Sequence, residues 1–394
     1  MTQVHARDSA AVPAFPMRRP ARCPLGQPPD YPRLRAERPV AVARLYDDSR
    51  LWLLTRHKDV RAVLAVPRVS ANQNAPGFPV PTPELRRIVL ELNTNVGMLR
   101  TDPPRHDVLR RIVIRDFTVK RVEAMRPAIQ RLVDERIDDL LAGDKPADLV
   151  TALALPVPST VICWLLGVPV ADQADFNRWS RLTNAAGVPA EQQATANAAL
   201  LDYLRNLIVV KERHPGDDII SRLIEQREAG TIDAEEVLAN TTLMLAAGHE
   251  TTANMIALGT LTLLRHPEQA AALRDDPSLA RNAVVATEDI EIGGQVIRAG
   301  DGIAALNLAA NRDPEAFADP DTLDIRRDTR RHVAFGYGVH QCLGQNLARA
   351  ELQVVYPTLL RRIPSLRLAV ELDEVEFRLD DPLFGLTSLP VTWD

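Results

Sequence analysis

The chain has 394 residues, 46% of them hydrophobic but only 4% aromatic, with a net charge of −5. That length can fill a sizeable core of Ala, Leu, Val and Ile, and the acidic balance argues against a nucleic-acid binder, which carries a basic excess. Three scattered cysteines, Cys23, Cys163 and Cys342, argue against a disulfide framework and fit a reducing cytoplasm.

Residues 1–35 read as an irregular, Pro-rich segment without the continuous apolar run of a signal peptide or membrane anchor. A cytoplasmic chain with no anchor is therefore expected. Two apolar runs flank Asp-Asp-Ser-Arg within 39–55 and predict a β-hairpin, with HKDVRAVLA as a helix after it. Five prolines between 67 and 83 predict a long loop, and loops of that length tend to be functional. From 105 onward apolar periodicity predicts helices over 105–116, 118–142, 147–166, 171–186, 190–213, 217–228 and 234–264. A β-rich stretch, IEIGGQVIRAGD, comes next, then an irregular one, a helix over 343–362, and strands to the C-terminus. No repeat or low-complexity linker divides the chain. Residues 36–394 are expected as one mainly α domain with a minor β part.

The helix over 234–264 starts on a capping-box-like pair, Asp233 and Glu236, and Pro267 stops it. At ~1.5 Å per residue it spans about 46 Å, and it is apolar on all sides, which predicts a buried central helix. Its middle reads Ala246-Ala247-Gly248-His249-Glu250-Thr251-Thr252. A glycine and an acid there need a reason. The family resemblance given below implies a kink at Gly248 that opens a groove for dioxygen, with the Thr251 hydroxyl hydrogen-bonding there and Glu250 relaying protons through water. The plainer alternative for Thr251 is a hydroxyl bonded back to its own helix. HETTA is no zinc-protease motif, because Ala253 stands where the second histidine belongs.

FGYGVHQCLG, residues 335–344, sets Cys342 among Gly336, Gly338 and Gly344 just before a helix. An inert buried thiol does not explain those glycines; something flat or large is expected against the bare backbone. Backbone N–H groups at a helix start stabilise a thiolate, which can be a nucleophile or a metal ligand. On iron, a thiolate favours O–O cleavage. A cysteine hydrolase using Cys342 and His340 is the weaker reading, since residues two apart in a loop seldom align as nucleophile and base. His106 and Arg110 share one helix face and suit a carboxylate, although a solvated face has the same pattern. Arg111, Arg115, Lys120 and Arg121 form either a basic docking face or ordinary surface.

Phe335-x-x-Gly338-x-x-x-Cys342-x-Gly344 resembles the haem-thiolate signature of the cytochrome P450 monooxygenases. Ala247 to Thr252 is similar to the family's oxygen-activation motif, and TDPPRHDVLRR (101–111) to its propionate-binding helix. Residues 310–327 resemble the meander before the cysteine loop, and 384–393 the C-terminal turn into the substrate pocket. The resemblance runs in order over residues 20–394 and points to the soluble bacterial branch. It implies a P450-like fold, with the long central helix over haem b and the cysteine loop beneath. It makes Cys342 the iron ligand, and Thr251 and Glu250 the catalytic groups that manage oxygen and protons. Ala247, Gly248, Phe335, Gly336 and Gly344 then lie beside the cofactor, and His106, Arg110 and His340 hold its propionates. It also implies O2 as co-substrate, an apolar small-molecule substrate, and electrons from NAD(P)H through a ferredoxin reductase and ferredoxin. A monomer is expected.

One hallmark of the family is absent. No Glu-x-x-Arg occurs between 265 and 342; those in ELRR (84–87) and EAMR (123–126) come too early. DPSLARNAVVATEDIEIGG (276–294) passes from a helix start straight into strands, as if a segment were missing after Ala283-Val284. The family's helix there pairs with a meander arginine, here Arg327 or Arg326. The alternative function is thus a non-catalytic or haem-deficient ligand binder on the same fold.

Overall fold

The expected hairpin forms from Val40–Arg44 (β1) and Arg50–Leu54 (β2), with Val40 opposite Leu54 and Asp48 at positive φ in the turn. The computed structural model describes residues 12–20, 25–83, 86, 97–184, 188–270, 282–286, 288–378 and 384–394. Within them the hairpin edges a five-stranded sheet in which β2 runs parallel to Gly302–Ala305 (β8). Asn282–Ala286 (β5) lies between β8 and the short strand Val69–Ser70 (β3). The expected second strand pair is Ile290–Ile292 (β6) with Gln295–Ile297 (β7). Ala147–Asp148 (β4), Arg367–Leu368 (β9) and Pro390–Thr392 (β10) make a third small sheet.

Helices supply most of the molecule. In chain order they are α1 Asp30–Glu37, α2 His57–Ala65, α3 Arg105–Val113, α4 Val119–Ala142, α5 Pro156–Leu166, α6 Gln173–Asn184 and α7 Ala190–Arg213. Then come α8 Ile219–Glu228, the central α9 Ala234–Leu264, α10 Pro267–Ala270, α11 Asn307–Ala310 and α12 Gln345–Arg362. The Asp233 carboxylate accepts the Glu236 N–H at 2.8 Å while Glu236 accepts the Asp233 N–H at 3.0 Å, so the capping box is complete. One large apolar cluster joins α3 to α9 with α12; two smaller clusters lie under the sheet.

Three expectations change. Helix α1 begins inside the stretch expected to be irregular, and Phe15, Met17, Tyr31 and Leu34 are buried against the sheet. Their apolar side chains dock although the prolines around them forbid regular structure. The helix expected over 147–166 is a strand, a π turn at Val150–Ala154, and then α5, because Pro156 fits only a first helical turn. No interruption marks Gly248: α9 is continuous α-helix from end to end.

Helices α9 and α12 fix the frame of the site. A Cβ at Gly259 would stand 1.9 Å from the Tyr356 hydroxyl, which donates to the Met255 carbonyl at 2.5 Å. The missing side chain lets α12 lie against α9. Because α12 starts three residues after Cys342, that contact also sets the cysteine loop relative to the central helix. Arg327 donates to the Asp319 and Thr322 carbonyls at 2.8 and 2.9 Å, so the meander arginine has local partners rather than a buried acid. Among the described residues no helix is long and apolar enough to cross a membrane.

Candidate active site

The cysteine loop is held by its backbone. Gly336 and Gly338 have φ of 71° and 75°, a region closed to most side chains. A Cβ on Gly338 would lie 2.1 Å from the Leu64 carbonyl oxygen at the end of α2. The bareness of Gly338 is therefore explained by α2 and not by a cofactor, which corrects part of the sequence argument. Gly344 differs: its φ is −80° and a Cβ would meet only the Phe117 ring, at 3.9 Å. Within the loop the Cys342 N–H donates to the Phe335 carbonyl at 2.8 Å. The Phe335 ring sits under the Arg349 guanidinium, 5.0 Å away.

Burial pushes the Cys342 thiol up, against the Gly344 and Gln345 N–H groups and the Arg110 charge, which all favour the thiolate. A metal cation on the sulfur reverses that balance, since a coordinated thiol is deprotonated outright. Among the described residues no cluster of three or more His, Cys, Asp or Glu could hold a metal by itself. A single-thiolate site with the remaining positions supplied by a prosthetic group needs none.

Beside the loop lies a basic cluster. His106 on α3 is almost fully buried, and its ring centroid is 4.3 Å from that of His340. Its Nδ1 is 2.9 Å from Asp107 Oδ1. Arg110, one turn along, donates to the Gln341 carbonyl at 2.7 Å and ties α3 to the loop. Burial first, then the neighbouring His106, hold the His340 pKa down at about 4, with Arg110 and Arg100 adding to the push. Among the described residues His340 Nε2 is buried without a hydrogen-bond partner. Asp102 opposes, but its carboxylate already accepts the Ser70 hydroxyl and the Ala71 N–H. Desolvated cations around an unsatisfied imidazole nitrogen are what an incoming carboxylate completes. The residues present fit a haem-thiolate group: one sulfur ligand, an unobstructed Gly344, and a cradle for propionates. Sequence reasoning found His106, Arg110 and His340 but passed over Asp102, inside the TDPP stretch it quoted, and Arg100 just before it.

Above, the central helix is buried along most of its length, yet Ala246, Ala247 and Thr251 are exposed. Ala247 and Thr251 stack one turn apart on a single face. The Thr251 hydroxyl donates to the Ala247 carbonyl at 2.8 Å, as the plainer reading expected, and its oxygen lone pairs remain as acceptors. Gly248 faces away: a Cβ there would come within 2.9 Å of Ile162 Cδ1, so this glycine admits α5. Glu250 is buried, and its Oε1 accepts Arg378 Nη1 at 2.6 Å. Arg378 also donates to Asn254 Oδ1 at 2.5 Å, bracing two successive turns of the helix. No sequence pattern singled out Arg378. Of the C-terminal turn expected in the pocket, Leu386 is buried in the core while Thr387 is exposed. Of the stretches 72–99 and 180–200, which the sequence also offers as candidate pocket segments, residues 84–85, 87–96 and 185–187 lie outside the described residues.

A central helix spanning the molecule, a thiol loop leading into the helix packed on it, and a cationic cradle between them are the architecture of a haem-thiolate enzyme. The cytochrome P450 family model matches residues 191–283 and 272–392. Cytochrome P450-SU2 of Streptomyces griseolus is 48% identical over 402 residues, covering 98% of each chain. Pentalenic acid synthase of Streptomyces avermitilis is 46% identical over 410 residues, covering all of both. The crystal structure of GfsF, a cytochrome P450 of Streptomyces halstedii, superposes with a TM-score of 0.90 at 46% identity, covering 97% of this chain and 100% of that one. The chain belongs to the cytochrome P450 family, oxidoreductases that work through haem-thiolate iron and O2.

The same comparisons bear on the missing hallmark. The family match comes in two pieces that meet at 272–283. Covering this 394-residue chain takes 410 aligned positions in the match to pentalenic acid synthase, so that relative carries positions with no counterpart here. Residues 271–281 and 287 lie outside the described ones.

Proposed function

We propose that the protein inserts one oxygen atom from O2 into a C–H bond of an apolar, mid-sized small molecule, in the cytoplasm. The placement of Cys342 carries this reading: a lone thiol, flanked by helix-start N–H groups, in the loop that opens the helix packed on α9. The haem would be held by Cys342 at the iron and by His106, Arg110 and His340 at the propionates, and it supplies O–O cleavage and oxygen transfer. Thr251, whose own proton goes to the Ala247 carbonyl, offers its oxygen as an acceptor that would orient a water on this face. Glu250 takes and returns protons at its carboxylate through water, and Arg378 fixes its direction. Ala246 and Ala247 leave room for an apolar substrate and exclude bulk water around it.

Electrons come from NAD(P)H through a reductase and an acidic ferredoxin. Arg111, Arg115 and Lys120 are exposed on and after α3 and suit such a carrier, whereas Arg121 is paired with Asp217 at 2.6 Å. The reading is tested by reducing the purified chain under carbon monoxide. A strongly red-shifted Soret band, with product formed per NAD(P)H once redox partners are added, supports it; an unshifted band sinks it.

The break at 272–283 favours a second reading, a haem-deficient form of the same fold. Grafting the relatives' additional positions after Val284 distinguishes the two. A haem-to-protein ratio that rises toward one only in the grafted chain favours the deficient form. Full occupancy of the chain as it stands excludes it.

A further inference from the structure

We infer that Arg378 clasps the C-terminal wall of the pocket to Glu250, so that bulk in the pocket that pushes this wall outward also frees the acid. The inference rests on the reading of Glu250 above and deepens it, from a proton carrier to one whose release depends on what the pocket holds. The wall is a pair of antiparallel stretches, 376–378 and 384–387. Within it the Arg378 N–H donates to the Gly385 carbonyl and the Thr387 N–H to the Glu376 carbonyl, both at 2.9 Å. Phe377 stands opposite Leu386, and the Phe377 and Phe384 rings stack with their centroids 6.0 Å apart. Stretches joined by backbone and rings in this way move together. Thr387 is their exposed member.

From this wall the Arg378 side chain crosses to the central helix. Its Nη1 donates to Glu250 Oε1 at 2.6 Å and its Nη2 to Asn254 Oδ1 at 2.5 Å. The Arg378 and Glu250 side chains are 11% and 9% exposed, so water competes little for the pair. The wall also bears on the clasp through Gly385. A Cβ there would lie 2.2 Å from Asn254 Oδ1 and 2.6 Å from Arg378 Nη2. The bare glycine serves this close approach of backbone to side chains. The wall thus has no slack toward the helix, and it moves away only by drawing Arg378 along.

The two arms of the clasp differ in chemistry. Glu250 and Asn254 stand one turn apart on the same helix face, and one guanidinium fork spans both. A carboxylate held by a guanidinium stays charged and takes up protons poorly. Letting Glu250 go would strand a buried cation, at a large cost, if the fork had nothing else to hold. Asn254 keeps one arm occupied while the other opens. Asn254 also follows Thr251 by three residues and so neighbours it on the helix surface. Bulk seated against Thr251 therefore reaches the clasped wall.

Two measurements on the full-length chain test this. The first is urea unfolding of the haem-free protein. Gly385→Ala is expected to lower the folding equilibrium constant roughly fivefold more in the parent than in an Arg378→Gln background, where the crowded fork is gone. Equal losses in both backgrounds overturn the inference, whether or not the chain takes up haem. The second titrates the haem-loaded chain at the Soret band with imidazole and with phenylimidazole, which differ in bulk. Linkage is reciprocal: if bulk loosens the clasp, a loosened clasp favours bulk. Arg378→Gln and Glu250→Gln should each bind phenylimidazole several-fold more tightly, relative to imidazole, than the parent does. Combining them should add nothing further. An unchanged ratio, or effects that simply add, overturns the clasp and marks Arg378 as a structural brace. Arg378→Lys keeps the charge and loses the fork, and it carries both comparisons if the glutamine variant does not fold. Both couplings, with product per NAD(P)H unchanged in Glu250→Gln, uphold the clasp and overturn the proton reading alone.

Discussion

The two walls of the site are held in different ways. Below, the cysteine loop depends on backbone: two positive-φ glycines, a Cys342 N–H on the Phe335 carbonyl, and Gly338 against the Leu64 carbonyl. Above, the central helix presents its groups through side chains, Thr251 on its own turn and Glu250 braced by Arg378. A wall set by backbone geometry fixes one arrangement and tolerates little substitution. A wall set by side chains can be retuned residue by residue while the helix persists. The lower wall is thus the less open to substitution.

The hardest break in that comparison is Cys342→Ser. A hydroxyl is a poorer donor to iron than a thiolate, so the red-shifted carbon monoxide band is expected to vanish. Its survival would remove Cys342 as the ligand. The glycines sharpen the point. Gly338→Ala should cost the haem-free protein about 3 kcal/mol, since it combines backbone strain with a contact the Leu64 carbonyl cannot yield. Gly344→Ala should leave haem-free stability within ~0.5 kcal/mol while weakening haem uptake. Denaturant midpoints with and without haem separate the two, and equal losses would mean the loop is not divided in this way.

On the upper wall, Thr251→Ala should leave haem content and the resting spectrum unchanged and raise peroxide released per NAD(P)H several-fold. Unchanged coupling would assign proton management to Glu250 and water alone. A further effect is expected on α12, just beyond the lower wall. Glu351 is fully buried, its Oε2 has no partner among the described residues, and desolvation pushes its pKa well up. The folded state keeps the proton that an ordinary unfolded glutamate gives up above pH ~4.3, so stability is lost as pH rises. Glu351→Gln should therefore gain about 1–3 kcal/mol at pH 7 and almost nothing at pH 4. A gain independent of pH would show that the carboxyl is not protonated in the fold.

Much of this was legible in the sequence because it is written in local chemistry. Helix periodicity, the Asp233–Glu236 capping box and Pro267 placed the central helix with its observed ends. The glycines around Cys342 marked a constrained loop. What stayed hidden depends on contacts distant in sequence. Leu64 explains Gly338, and Ile162 explains Gly248, yet neither is near its glycine along the chain. Arg378 meets Glu250 across 128 positions, and no motif surrounds it. The docking of Phe15 and Met17 was obscured by the prolines beside them.

The Tyr356 clasp on the central helix also sets a timetable for making the protein. Met255 and Tyr356 are 101 positions apart, and the apolar flank of α9 that receives α12 has no cover until the later residue leaves the ribosome. At 5–20 residues per second that interval is roughly 5–20 s. During it, a complete central helix presents an apolar stripe to the cell. Nascent chains arrested before residue 356 are accordingly expected to be bound by chaperones or cut within α9, and chains arrested well after it to resist both.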